Sequence, residues 1–421
     1  TVSSKAIATP TLTATTPSST TTATAAVTAT STTTAALPAD CPAPGTARPA
    51  KMPPDATAVP PAVFYLTELG GVQSGIWAKD LKRYDLTTGQ TTTILSFPQS
   101  LSTSTDDRVT AQISLSPDKH WLLIATNSAL NSTGIARLQI IRTDGTQVQT
   151  LTCATSTDWG TPLWSPDQRH IAFSTLGGNE AIATDILDLT TGRMEQIPAV
   201  DYIPQAWLDA TRLYVERLNG IPELSLLDIS KGQNQQPGNF IHIASINTPC
   251  GAFEPAANAT QLYTTSCTQV TLNNCQGGNG LQGPSTISVQ PATGGKATTV
   301  YNSPSHAIFT LHVVNQQTIL FYIDNSAGDL SQNGLWKINT NGSGLTRLTT
   351  EPGLRCFDPY PQYGPQIASN SQSYAQLTSD FTSGPSQAIQ VGSISGGTPT
   401  TIATPDPAAS PGMLLVLIGM A

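Results

Sequence analysis

The sequence predicts an all-β fold assembled from a repeated unit. Three observations predict it. Only 11% of the 421 residues are charged, against roughly 25% in a typical soluble domain, which argues against a helical bundle rich in Glu and Lys. Gly (33) and Pro (32) supply about 15% of the chain, the composition of many turns. A tight glycine turn between an apolar run and a Thr-rich run recurs at near-regular spacing. The formal charge of −8, from 19 Lys+Arg against 27 Asp+Glu, excludes a basic nucleic-acid binder. No stretch reaches the roughly 18 apolar residues of a membrane-spanning helix.

Residues 1–36 hold 15 Thr, 9 Ala and 5 Ser and almost no charge. Such a segment cannot bury enough surface to offset its ordering entropy, so it reads as an extended stalk, open to O-glycosylation. The first residue is Thr, with no basic and apolar leader after it, so the chain reads as processed or trimmed. A Pro-rich neck follows over residues 37–61. The folded part opens at Val63-Phe64-Tyr65-Leu66 and is read as one domain over residues 62–421.

Within that domain the hairpin signal is strand, Gly turn, strand. It appears as Tyr84–Gly89, Ile141–Gly145, Leu187–Gly192, Leu227–Gly232, Val289–Gly294, Ile338–Gly342 and Ser393–Gly396. Glycine supplies the positive φ that such turns need. The glycines lie 56, 47, 40, 62, 48 and 54 residues apart, a mean of about 51. A second signal precedes the hairpin: Leu115-Ser116-Pro117-Asp118 before Trp121–Ala125, and Trp164-Ser165-Pro166-Asp167 before His170–Ser174. Weaker copies stand at Trp207-Leu208-Asp209, Phe253-Glu254-Pro255, Val314-Asn315-Gln316 and Tyr363-Gly364-Pro365. Each unit therefore reads as four short antiparallel strands, a to d. One such sheet cannot bury both faces, but a ring of seven can, so the predicted fold is a seven-bladed β-propeller with an extended Thr/Ala/Pro-rich N-terminal tail.

The stretch from Thr161-Pro162-Leu163-Trp164-Ser165-Pro166-Asp167 to Leu187-Asp188-Leu189-Thr190-Thr191-Gly192 closely resembles the repeat of TolB-type, WD-repeat-like β-propellers. The resemblance covers about 360 residues in weakening copies. It implies the fold and is nearly silent on function, because this repeat serves scaffolds, receptors and accessory domains of peptidases.

The first unit lacks an innermost strand, while the last has all four, with its strand a expected at Phe357–Tyr363. The apolar run at 412–419 is expected to supply the missing strand and pair with Val63–Leu66. Donation of that run to another copy would instead build a filament.

Catalytic motifs are scarce. Gly392-Ser393-Ile394-Ser395-Gly396 has Ile where a nucleophile would stand, and neither His-Glu-x-x-His nor Cys-x-x-Cys occurs. His306 and His312 read as packing or exposed residues. Asp329–Gly334 echoes a calcium loop but lacks its twelfth-position acid. We expect no metal, no cofactor and no catalytic residue. The d–a and b–c loops share one propeller face, and there acidic and aromatic residues recur. Asp106, Asp107, Arg108, Asp158, Trp159, Asp201, Tyr202, Arg355, Asp358 and Tyr360 form a candidate binding rim for a protein, peptide or glycan; the bland alternative is that each Asp caps its own loop.

Six cysteines, with low charge and a Thr-rich tail, fit an oxidising, extracellular or cell-surface location. Cys267 and Cys275 are the expected local pair, while the pairing of Cys41, Cys153, Cys250 and Cys356 stays open. Asn131, Asn258 and Asn341 lie in sequons that permit N-glycosylation. The expected function is a non-enzymatic binding module on a stalk. The alternatives are a subunit of a filament or surface assembly, joined by strand exchange, and a propeller lyase or hydrolase.

Overall fold

A computed structural model describes residues 40–421 except 44, 54–57, 72–74, 99–108, 129–134, 156–158, 177–181, 198–200, 219–222, 235–239, 246–251, 272–278, 326–328, 352–364, 369, 381–385 and 406–412. The chain divides into the unit 1–36, which lies outside the described residues, and the unit Leu37–Ala421.

Seven four-stranded antiparallel sheets make up the second unit. Blade one contains β1 (Ala62–Gly71), β2 (Gly75–Asp85) and β3 (Thr91–Ser96). Blade two is β4 (Val109–Leu115), β5 (Trp121–Ser128), β6 (Ile135–Arg142) and β7 (Gln149–Thr155). Blade three is β8 (Leu163–Trp164), β9 (His170–Leu176), β10 (Ile182–Asp188) and β11 (Arg193–Ile197). Blade four is β12 (Tyr202–Trp207), β13 (Arg212–Arg217), β14 (Glu223–Asp228) and β15 (Ile241–Ser245). Blade five is β16 (Phe253–Pro255), β17 (Gln261–Thr271), β18 (Asn279–Pro291) and β19 (Thr298–Ser303). Blade six is β20 (Ile308–Val313), β21 (Thr318–Ile323), β22 (Gly334–Asn339) and β23 (Thr346–Arg347). Blade seven is β24 (Gln366–Ile367), β25 (Ser373–Asp380), β26 (Ser386–Ser393) and β27 (Thr400–Ala403). The described part of blade seven's innermost strand is Gln366–Ile367, and the expected span Phe357–Tyr363 lies outside the described residues. The turn Ala368 N–H to Ser373 O sets its place, as the equivalent bond does in the other blades.

The last strand, β28 (Met413–Met420), is the innermost strand of blade one. It pairs with β1 in the same chain, with Tyr65 opposite Leu417 and Leu66 opposite Val416. Its apolar side chains are needed there. Leu415, Leu417 and Met420 pack with Val63, Tyr65, Ala375 and Ile389, between blades seven and one. Leu415 N–H also donates to Gln387 Oε1 of blade seven at 2.7 Å.

Turn chemistry positions the strands. Ser116 Oγ accepts from Trp121 N–H at 2.9 Å and donates to Asp118 at 2.6 Å; Ser165 repeats this with His170 and Asp167 at 2.8 and 2.6 Å. In the c–d hairpins, Asp85 Oδ1 accepts from Thr87 and Thr88 N–H, and Asp188 Oδ1 from Thr190 and Thr191 N–H. Such Asx turns fix the exit direction of each strand. Blades are then locked to neighbours. Trp164 and Trp207 donate their indole N–H to the inner strand of the preceding blade, at Ser114 O and Leu163 O. Tyr214 OH reaches Ala292 O of the next blade at 2.6 Å, and Tyr322 OH reaches Gln376 Oε1 at 2.7 Å.

The Pro-rich neck is not a free spacer. Its described part runs antiparallel to β7 and across the c–d turn of blade three. Arg48 N–H donates to Leu151 O at 2.8 Å, and Ala50 N–H to Leu189 O at 2.7 Å. Cys41 is disulfide-bonded to Cys153 of β7. Proline rigidity and β7's open edge explain the docking: a stiff, extended segment loses little entropy when it covers an edge strand. Cys267 is also in a disulfide. Cys275, Cys250 and Cys356 lie outside the described residues, so the expected Cys267–Cys275 bond lies there too.

Candidate functional site

The two ends of the ring differ in how their charges are held. The a–b and c–d turns share one end, the turn face. There Asp85, Asp144, Asp188, Asp209 and Asp228 each cap a turn. Arg83, Arg142, Arg169 and Arg212 pair with four of these acids at 2.6–3.2 Å. The bond from Thr88 N–H, with that from Thr87 and the Arg83 guanidinium, holds the Asp85 carboxyl below its ordinary value against a smaller burial effect. These acids are internal fixtures of the turns.

At the loop-rich end two carboxylates, Glu68 and Glu216, are desolvated rather than used as turn caps. Glu68 stands near the end of β1, half-buried, with no hydrogen-bond or ion-pair partner among the described residues. Burial pushes its pKa up to about 7. Glu216, near the same end of β13, accepts from Gln205 Nε2 at 2.8 Å, and burial raises its pKa. Asp185, midway along β10 rather than at either end, is raised by burial too, against the bonds from Thr175 and Gln196. Desolvated carboxylates with raised pKa are characteristic of functional sites, although structural ones also occur.

The structure places three residues of the sequence-derived rim. Trp159 is buried, 4% exposed, against Phe173. Asn127 grips its backbone from both sides, accepting from Trp159 N–H and donating to Trp159 O at 2.9 Å each. Asp201 adopts φ 69° and ties blade three to blade four: its N–H donates to Ile182 O, and its carbonyl accepts from Leu218 N–H. Tyr202 is buried edge-on to Phe240. These three act as corner pieces of the loop-rich end. Asp106, Asp107, Arg108, Asp158, Arg355, Asp358 and Tyr360 lie outside the described residues. Asp329, from the calcium-like stretch, accepts from Ser331 N–H and Oγ and caps a short 3-10 turn.

A second feature lies on the innermost strands. Counting back two residues from the turn bond that ends each inner strand gives Ser114, Leu163, Ala206, Glu254, His312, Gln366 and Gly419. Of these only Glu254 and His312 ionise. His312 Nδ1 lies 3.0 Å from Glu254 Oε1, and Val313 N–H donates to Glu254 Oε2 at 3.0 Å. The two side chains are 30% and 26% exposed. A carboxylate on Nδ1 places the proton there and leaves Nε2 as an acceptor. Sequence reasoning passed over Glu68, Glu216 and this pair. The one visible signal was an acid directly after an apolar strand, as in Thr67-Glu68 and Val215-Glu216.

Among the described residues no group of three or more His, Cys, Asp or Glu is placed to hold a metal ion. No helix among them is long and apolar enough to cross a membrane.

No family model matches the chain, and no curated protein matches it. The fold is similar to several solved structures. A putative TolB of Agrobacterium tumefaciens is 12% identical, with TM-score 0.37, covering 85% of this chain and 99% of that one. A periplasmic gluconolactonase of Pseudomonas aeruginosa is 12% identical, with TM-score 0.47, covering 84% and 99%. A puromycin-hydrolyzing peptidase of Mycobacterium tuberculosis is 14% identical, with TM-score 0.47, covering 78% and 50%.

Proposed function

We propose that the chain is an extracytoplasmic binding propeller, with residues 1–36 as its stalk and the loop-rich end as its binding face. The single observation that carries this reading is the contrast between the ends. Turn-face acids cap turns and are paired, whereas Glu68 and Glu216 at the loop-rich end are desolvated. A ligand that brings a cation or a hydrogen-bond donor would relieve that cost. The favoured ligand is a peptide, protein or glycan carrying an ammonium, guanidinium or hydroxyl group. The rim residues Asp106, Asp107, Asp158 and Asp358 belong to the same proposal. The Cys41–Cys153 disulfide supports an oxidising compartment.

Peptide and glycan arrays probed with the full chain test this. Retained ligands should carry such groups, and Glu68→Gln with Glu216→Gln should weaken capture at least tenfold. Equal capture by the variant would end the proposal.

One observation favours a second reading, a propeller lyase or hydrolase. The Glu254–His312 pair has the orientation of a general base. Any turnover found should then fall at least a hundredfold in His312→Gln with fold and ligand capture intact. Turnover that survives the change removes this reading.

A further inference from the structure

The strap formed by the Pro-rich segment is fixed to two blades at once. Arg48 and Ala50 donate to Leu151 O in blade two and Leu189 O in blade three. Lys51 and Gln149 exchange a reciprocal pair of bonds, 2.7 Å each. Thr152 Oγ1 donates to Thr46 O at 2.8 Å, and Thr150 Oγ1 to Asp40 at 3.2 Å. Ala47, Ala50 and Met52 pack on the core shared by blades two and three. At Gly192 a Cβ would lie 2.7 Å from Ala47 O and 2.8 Å from Pro49 N, so glycine lets the strap approach. The disulfide fixes the upstream end of the strap to β7.

The attachment just downstream is of another kind. β1 is held to β28 by a strand ladder and side-chain packing, with no covalent link between them. A ladder loaded at its end opens one hydrogen bond at a time, and each bond is weak in water. A disulfide opens only by exchange with a thiol. Cys41 and Cys153 are 112 residues apart, and the covalent loop between them encloses β1 to β6.

We propose that the strap is a covalent, load-bearing latch. Tension arriving from residues 1–36 passes through Cys41–Cys153 into the outer strand of blade two and bypasses the β1–β28 closure. The inference rests on reading residues 1–36 as a stalk.

Single-molecule pulling on the full chain tests it, with one handle at residue 1 and the other at exposed position 296. The oxidised chain should show no extension step before the ring itself unfolds. A dithiol then reduces the bond, giving two cysteine thiols while the dithiol closes to its cyclic disulfide. The reduced chain should gain an early, lower-force step of roughly 70 Å, the reach of about 20 strap residues. The same first step in both states would overturn the latch. If reduction unfolds the ring, hydrogen exchange on the oxidised chain decides. The Arg48 and Ala50 amides should be protected like the core of β5, and loop-like exchange there would overturn the proposal. Neither measurement depends on what residues 1–36 attach to. The stalk reading fails separately, if those residues prove protease-resistant and packed.

Discussion

Glu68 is the residue at which ionisation opposes folding most plainly. Its folded pKa of about 7 exceeds the ordinary value of 4.5. Between these values the folded chain keeps a proton that the unfolded chain releases, so stability falls as pH rises through that window. Glu68→Gln removes the cost. The variant should be more stable than the parent by about 2 kcal/mol at pH 8, after allowance for partial solvent screening, with no gain below pH 4.5. Urea unfolding at the two pH values measures this. Gly192 is constrained from two sides, by φ +72° and by the strap backbone. Gly192→Ala should destabilise by about 2 kcal/mol or more and free the strap, read by hydrogen exchange at Ala50. At this scale the sequence was legible wherever chemistry is local. Ser116-Pro117-Asp118 and Asp188-Leu189-Thr190-Thr191-Gly192 announce their turns because donor and acceptor lie within five residues. Glu254 and His312, 58 residues apart, meet only through the register of two blades, and no local pattern signals that.

Elements show the same division. Alternation and turn residues revealed nearly every blade hairpin, because strand and turn are neighbours in the chain. In the sequence the strap reads only as a neck, since its partners Thr152, Leu151 and Gln149 lie about 100 residues away. The role of Trp159 was equally hidden: an aromatic after an Asp looks like a rim, yet Asn127 draws it into the blade. Asn127→Ala would leave Trp159 N–H and O buried without partners and should cost about 2–3 kcal/mol by calorimetry. Cys41→Ser with Cys153→Ser should cost about 5 kcal/mol on the chain-entropy account, given the long loop it opens. Denaturant titration under non-reducing conditions reads that difference.

For the whole molecule, low charge and abundant Gly, Pro and Thr now have separate causes. Residues 1–36 are low in complexity, while in the ring Gly and Pro shape turns and Thr lines strands. The ring is fastened twice, by β28 beside β1 and by the strap across blades two and three. Deleting residues 412–421 should expose both edges left behind and lower the melting temperature by more than 10 °C, while the full chain stays monomeric in light scattering. Polymers of the full chain would favour exchange of strands between copies. The central claim is that ligand meets the loop-rich end. Hydrogen exchange of the full chain, with and without an array-selected ligand, tests it most directly. Protection should rise near Glu68 and Glu216 and stay unchanged at the turns of Asp85, Asp188 and Asp228. Protection confined to those turns would contradict the account.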